Sequence, residues 1–107
     1  MKQRERDKKL IEIADTYGIG PQSDMMIEEM SELTKAILKH RRAKLGRKGI
    51  GQTINDIVDE IADVQIMLRQ IIYLYDKYID DEIADMIEQR IDQKLDRQIE
   101  RIRGAVR

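Results

Sequence analysis

Carboxylates recur three residues apart within two otherwise apolar stretches of this chain, Ile27-Glu28-Glu29-Met30-Ser31-Glu32-Leu33 and Val58-Asp59-Glu60-Ile61-Ala62-Asp63-Val64. A carboxylate at the edge of a core-facing stripe is costly to desolvate without a counter-charge, and like charges gathered there repel. Two such pairs call for something positive between them. Hard divalent cations take oxygen ligands and suit this donor set. The expected ligands are Glu29, Glu32, Glu60 and Asp63, with Mg²⁺ as the metal and Mn²⁺ as its substitute.

Those residues need helices to position them. Glycine and proline punctuate the chain at Tyr17-Gly18-Ile19-Gly20-Pro21 and Gly46-Arg47-Lys48-Gly49-Ile50-Gly51, which read as connections. A first helix is expected near residues 3–16, ending at Gly18, and a second from about Ser23 to Lys44. A third should begin at Thr53, with its hydroxyl as cap and Asp56 favouring the positive end of the helix dipole, and run to about Tyr78. A fourth should start near Asp80-Asp81 and carry Ile83, Ile87, Ile91, Leu95 and Ile99. That strict four-residue spacing makes the stripe wind around the helix, as suits a helix that crosses its neighbours or touches a second subunit. No strand alternation appears, so the expected fold is all-α, an antiparallel bundle of about four helices in one domain spanning 1–107.

At about 100° per residue, Met26, Met30, Leu33 and Ile37 share one stripe, as do Ile57, Ile61, Val64 and Leu68. These stripes are expected to form the core. Glu29 and Glu60 then fall roughly 60° to one side and Glu32 and Asp63 roughly 120°, so the two helices present acid in equivalent places. Glu28 lies farther round, roughly 160° from the stripe, and ranks below Glu29 and Glu32 as a ligand. The competing reading makes all these acids solvated helix edges, as most acids must be in a chain that is 38% charged.

Composition narrows the remaining classes. A chain of 107 residues with 41% apolar content, four Tyr and neither Phe nor Trp lacks large rigid anchors, and oligomerisation would remedy its limited core. Lys+Arg 20 against Asp+Glu 21 leaves a net charge of -1, which argues against nucleic acid as a partner. Without Cys there is no disulfide frame, thiolate nucleophile or zinc-thiolate site. The first residues lack the apolar run of a signal peptide, and no segment approaches a membrane span, so no membrane partner and a cytoplasmic location are expected.

The ordered motifs Glu28-Glu29-x-x-Glu32 and Glu60-x-x-Asp63, the second continuing as Val64-Gln65-Ile66-Met67-Leu68, resemble the signature of the MazG-like all-α nucleoside triphosphate pyrophosphohydrolases. The resemblance covers residues 22–72 well and the fourth helix loosely. It implies hydrolysis of a nucleoside triphosphate between the α- and β-phosphates, releasing the monophosphate and pyrophosphate. It also implies Mg²⁺ on Glu29, Glu32, Glu60 and Asp63, with Glu28 as an outer group, an additional ligand or a base for water. Family members often carry Lys and Arg after the second motif to contact phosphates; Lys94 and Arg97, with Arg101 behind them, have that character. Solvent exposure or helix salt bridging is the plainer role for all three. Where some members have a Lys one turn before the second motif, this chain has Asp56, which either removes a phosphate contact or adds an acid.

Other residues suit packing better than chemistry. His40 fits a packed or boundary position, and its being the sole histidine argues against a di-iron carboxylate bundle. Lys44, Arg47 and Lys48 lack P-loop spacing and read as a solvated connection. Tyr73, Tyr75 and Tyr78 can stack on a base or pack, and Met25, Met26, Met30 and Met67 supply adaptable packing around the acids. The leading functional expectation is a Mg²⁺-dependent pyrophosphohydrolase of nucleoside triphosphates, with the clearing of unwanted nucleotides as its role. The alternative is a non-catalytic helical oligomeric interaction protein.

Overall fold

A computed structural model describes residues 1–43 and 49–105 of the chain, and four α-helices with no strand account for them. They are α1 (Gln3–Tyr17), α2 (Ile19–Arg42), α3 (Ile50–Tyr78) and α4 (Ile83–Ala105). The all-α bundle expected from the sequence is the observed architecture. Among the described residues, no helix is long and apolar enough to cross a membrane.

Two glycines set the helix starts. Gly18, at φ 85, is the whole connection between α1 and α2. Its N–H donates to the Ala14 carbonyl at 2.8 Å, and its own carbonyl accepts from the Gln22 N–H at 3.2 Å. Thus α2 begins at Ile19, four residues earlier than its composition suggested. Pro21 sits in the first turn, where a missing N–H breaks no helical bond. Likewise Gly49, at φ 99, starts α3 at Ile50 and leaves Thr53 inside the helix rather than capping it. The Thr53 hydroxyl donates to the Ile50 carbonyl at 2.7 Å and lies 2.9 Å from His40 Nδ1. With its single proton committed to Ile50, the hydroxyl accepts from His40, so the imidazole carries its proton on Nδ1. The expected end of α2 at Lys44, and the loop cations Lys44, Arg47 and Lys48, lie outside the described residues.

The main contact of the fold is the seam between α2 and α3. Gln22 donates to Gln70 near one end, and His40 meets Thr53 at the other, so the helices run antiparallel with residue numbers at each level adding to about the same value. Seam positions on α2 are Gln22, Met26, Glu29, Leu33, Ala36 and His40. On α3 they are Thr53, Ile57, Glu60, Val64, Met67, Ile71 and Leu74, and all thirteen are buried or half-buried. Both series alternate steps of four and three, the spacing that keeps one stripe facing a partner helix.

This seam corrects the stripes expected from the sequence. Met30, Ile37, Ile61 and Leu68 are exposed, whereas Glu29 and Glu60 stand in the seam itself. Glutamine and histidine also occupy seam positions, so apolar residues alone mark the stripe slightly rotated from its true centre.

On the far side of α3, α1 is tied down by Arg69 to Asp7 and by Lys77 to Asp15 at 3.0 Å, with the Tyr73 hydroxyl also donating to Asp15. Tyr73 is thereby committed to the α1 contact. Asp76 accepts from the Ala84 N–H at 2.9 Å and so satisfies the start of α4. Beyond that turn α4 touches α3 only, and Ile91, Leu95 and Ile99 remain exposed.

The buried Gln22–Gln70 pair has a measurable signature. Replacing Gln70 alone by Leu leaves the Gln22 amide without its partner and is expected to cost about 1–3 kcal/mol, while Gln22→Leu combined with Gln70→Leu costs less than the sum of the two single changes. Urea unfolding of the four proteins in the cycle checks this.

Candidate metal centre

The antiparallel register places Glu29 level with Asp63, and Glu32 level with Glu60, because Gln22 pairs with Gln70 and His40 with Thr53. Four carboxylates therefore rise within one turn of each other, all in the seam or on one flank of it. Three of them converge. Glu29, Glu60 and Asp63 each offer a carboxylate oxygen such that all three oxygens lie within 4.8 Å of one another. Glu29 and Glu60 are half-buried, Asp63 is exposed, and Glu60 Oε2 is buried without a hydrogen-bond partner.

Electrostatics register the crowding. Desolvation raises the Glu29 carboxyl above its usual range, followed by the neighbouring Asp63 carboxylate and the charges of Glu60 and Glu28. Glu60 is raised for the same leading reason, with Asp63, Glu32, Asp59 and Asp56 adding repulsion. Every one of these perturbers is an acid. By contrast, the Lys77 and Tyr73 hydrogen bonds hold Asp15 below the usual carboxylate range, as expected where a carboxylate has its cation.

The remaining predicted residues are placed as follows. Glu32 stands outside the convergent group, where it pairs with Lys35 at 3.3 Å, although its charge still acts on Glu60. Glu28 is exposed on the same flank one turn from Glu32 and adds to the field at Glu29. Lys94, Arg97 and Arg101 are exposed on α4, which makes no contact with α2, and none of them forms an ion pair among the described residues. Met26 and Met67 pack in the seam, while Met25 and Met30 are exposed. His40 lies in the seam beside Thr53, more than two turns from Glu32.

Two acids were underweighted in the sequence. Asp56 and Asp59 both bear on Glu60, Asp56 from the turn before it and Asp59 from the adjoining position. The signal for Asp56 was present as an acid one turn ahead of the second motif.

A donor set of carboxylate oxygens, two of its three residues half-buried, fits a hard divalent ion. Neither thiolate nor imidazole joins the cluster among the described residues, so the donors it offers are carboxylate oxygens. No protein family, curated protein or solved structure matches this chain. The site's chemistry therefore rests on its own geometry and on the motifs.

The raised carboxyls determine how metal-free stability depends on pH. A carboxyl raised in the fold favours its protonated form there, so its contribution to stability is complete below the unfolded value, about 4.3 for Glu, and is lost as pH rises through the folded value. In chelator, the melting temperature of Glu60→Gln should fall less than that of the wild type as pH rises from that value to neutrality. Asp7 and Asp15, lowered by their partners, act in the opposite sense in both proteins and cancel in the comparison. Thermal melts monitored by circular dichroism across pH measure the difference.

Proposed function

We infer that this protein is a divalent-metal-dependent nucleoside triphosphate pyrophosphohydrolase of the MazG-like kind. The observation that carries the reading is the convergence of Glu29, Glu60 and Asp63 in a helical seam, with one Glu60 oxygen buried and unpartnered. A structural seam gains nothing from three repelling carboxylates, whereas a site that must collect a cation and a polyphosphate does.

Mg²⁺, or Mn²⁺ in its place, would be held by Glu29, Glu60 and Asp63, with Glu32 joining once it leaves Lys35. When bound, such a cation neutralises phosphate charge and helps activate water for in-line attack. The chain's own contribution is position. The seam fixes Glu29 and Glu60 on adjacent helices, and Asp63 lies one turn from Glu60 at the open flank, where a phosphate chain can approach. Glu28, on that flank and outside the convergent group, suits the role of accepting a proton from the attacking water. Attack at the α-phosphate then breaks the bond to the β-phosphate and releases monophosphate and pyrophosphate. Lys94 and Arg97 are assigned to phosphate binding on the resemblance alone, and an oligomer in the cytoplasm completes the reading.

The alternative is an interaction protein whose acids are surface charge, and the exposed apolar positions of α2, α3 and α4 favour it. Metal response separates the two. The pure protein incubated with ribo- and deoxyribonucleoside triphosphates should release monophosphate and pyrophosphate only with Mg²⁺ or Mn²⁺. Because loss of an outer partner of a metal ligand already costs about 10–100-fold, Glu29→Gln and Glu60→Gln should lower kcat/KM at least ~100-fold. Lys94→Ala with Arg97→Ala should raise KM more than it lowers kcat. No metal-dependent turnover, or release of single phosphates only, contradicts the assignment. Binding also has a readout without turnover: metal at about a hundred times its Kd adds ~2.7 kcal/mol to the wild-type fold, a rise in Tm of roughly 10 °C that Glu60→Gln should lose.

A further inference from the structure

Arg69 reaches Asp7 and Lys77 reaches Asp15, two pairs offset by the same 62 residues, so α1 runs parallel to α3. Between the two helices lies a cavity of about 240 Å³. Leu10 and Ile11 wall it from α1 and Tyr73 from α3, with Gln70 and the Asp7–Arg69 pair completing the lining. The hydroxyl of Tyr73 is held by Asp15, which fixes the ring in place.

Gln70 sets this cavity apart. It is only 1% exposed, and its Oε1 accepts from Gln22 Nε2. Its own Nε2 donates to no group among the described residues. A buried amide donor without an acceptor is costly and calls for an explanation. Among the described residues Glu60 Oε2 is the one polar side-chain atom shut from solvent without a partner, so the Gln70 nitrogen keeps a contact with the cavity that Gln70 lines. At the rim, Asp7 Oδ1 accepts from both Gln3 and Arg69, which leaves Oδ2 free to accept. A donor and an acceptor between aliphatic walls and an aromatic ring are the set that reads the edge of a flat heterocycle.

Asp59, Asp63, Ile66, Gln70 and Tyr73 step by four and three along one stripe of α3, so the cavity lies on the flank that carries the acids. From Asp63 to Gln70 is two helical turns, roughly 10 Å. We propose that this cavity takes the base of a nucleotide whose phosphates meet Glu29, Glu60 and Asp63, with Gln70 Nε2 donating to a carbonyl or ring-nitrogen acceptor on the base edge. The identity of the ligand rests on the pyrophosphohydrolase reading. The volume suits a single ring system rather than a whole nucleotide, and the sugar then spans the interval to the acids. Gln70 thereby determines specificity, and Gln22 orients it by holding its oxygen from across the seam.

In chelator, where no turnover occurs, ribo- and deoxyribonucleosides added to the isotope-labelled full chain should shift the side-chain amide resonances of Gln70 and the backbone amides of Leu10 and Ile11, whereas ribose alone should not. Ile11 is 40% exposed, so Ile11→Trp fills the cavity without removing a buried group. It should weaken nucleoside binding and raise KM for the nucleoside triphosphate at least ~10-fold, the loss expected of one hydrogen bond with its apolar contacts. Its affinity for inorganic tripolyphosphate with Mg²⁺ should match the wild type. Gln70 resonances that no nucleoside moves overturn the proposal. So do shifts centred on the exposed stripe of α4, or a variant that loses nucleoside and tripolyphosphate alike. Cavity and catalysis fail separately: nucleoside binding at Gln70 in a protein that turns over no nucleotide upholds the cavity and contradicts the pyrophosphohydrolase, while turnover with Gln70 unmoved does the reverse.

Discussion

Mutual repulsion among Glu29, Glu60 and Asp63 is the constraint on which this structure turns. The α2–α3 seam is the main contact of the fold, and a core seam normally gains from apolar closure along its whole length. Here two seam positions, one on each helix, are given to carboxylates whose nearest perturbing charges are also negative. The packing around them is therefore arranged to tolerate acid. Met26, Leu33 and Ala36 on α2 with Ile57, Val64 and Met67 on α3 bracket the acids on both sides. Gln22–Gln70 and His40–Thr53 then fix the register near the ends through paired polar groups. A shift by one residue would turn the glutamine amides, the imidazole and the carboxylates out of register together, so the same bonds that align the helices also align the site.

The two flanks of the seam answer opposite demands. One gathers acid and stays open, with Glu32 held by Lys35 at the surface. The other carries Met30 and Ile37 of α2 with Ile54, Val58, Ile61 and Leu68 of α3, all exposed. Together they account for a chain with no Phe, no Trp and few fully buried side chains. Its aliphatic residues are divided between a thin internal seam and this exposed face. Meanwhile α1 is fastened mainly by surface ion pairs, Asp7 with Arg69 and Asp15 with Lys77, each worth little alone, and by burial of Ala14.

Much of this was legible in the residues, for identifiable reasons. Helical periodicity and the glycine breaks place four helices, because both follow from local chemistry. The starts of α2 and α3 lie earlier than composition suggests because Gly18 and Gly49 each act as a one-residue start, which draws Ile19 and Ile50 into helix and leaves Thr53 inside it, whereas α3 ends at Tyr78 as expected. The seam itself was misread by taking apolar residues as its only markers. Met30, Ile37, Ile61 and Leu68 look like core by hydropathy and are exposed, while Glu29 and Glu60 look like edge and are in the seam. The alternating four-and-three spacing, with Gln22, His40, Thr53 and Glu60 admitted as members, would have given the correct rotation. Glu32 shows the complementary difficulty: its level beside Glu60 follows from register, but its turn toward Lys35 is a side-chain choice that spacing does not encode.

The central claim is that the three convergent carboxylates hold a hard divalent cation in the seam. Mn²⁺ is paramagnetic and broadens the resonances of nearby amides, so titrating it into isotope-labelled protein locates the ion directly. With the ion bound there, substoichiometric Mn²⁺ should first broaden amides around Glu29 and around Glu60 to Asp63, excess Mg²⁺ should reverse the effect, and Glu60→Gln should abolish it. Broadening that begins instead at the exposed acids Asp80, Asp81 and Glu82, or that survives Glu60→Gln, would contradict the claim.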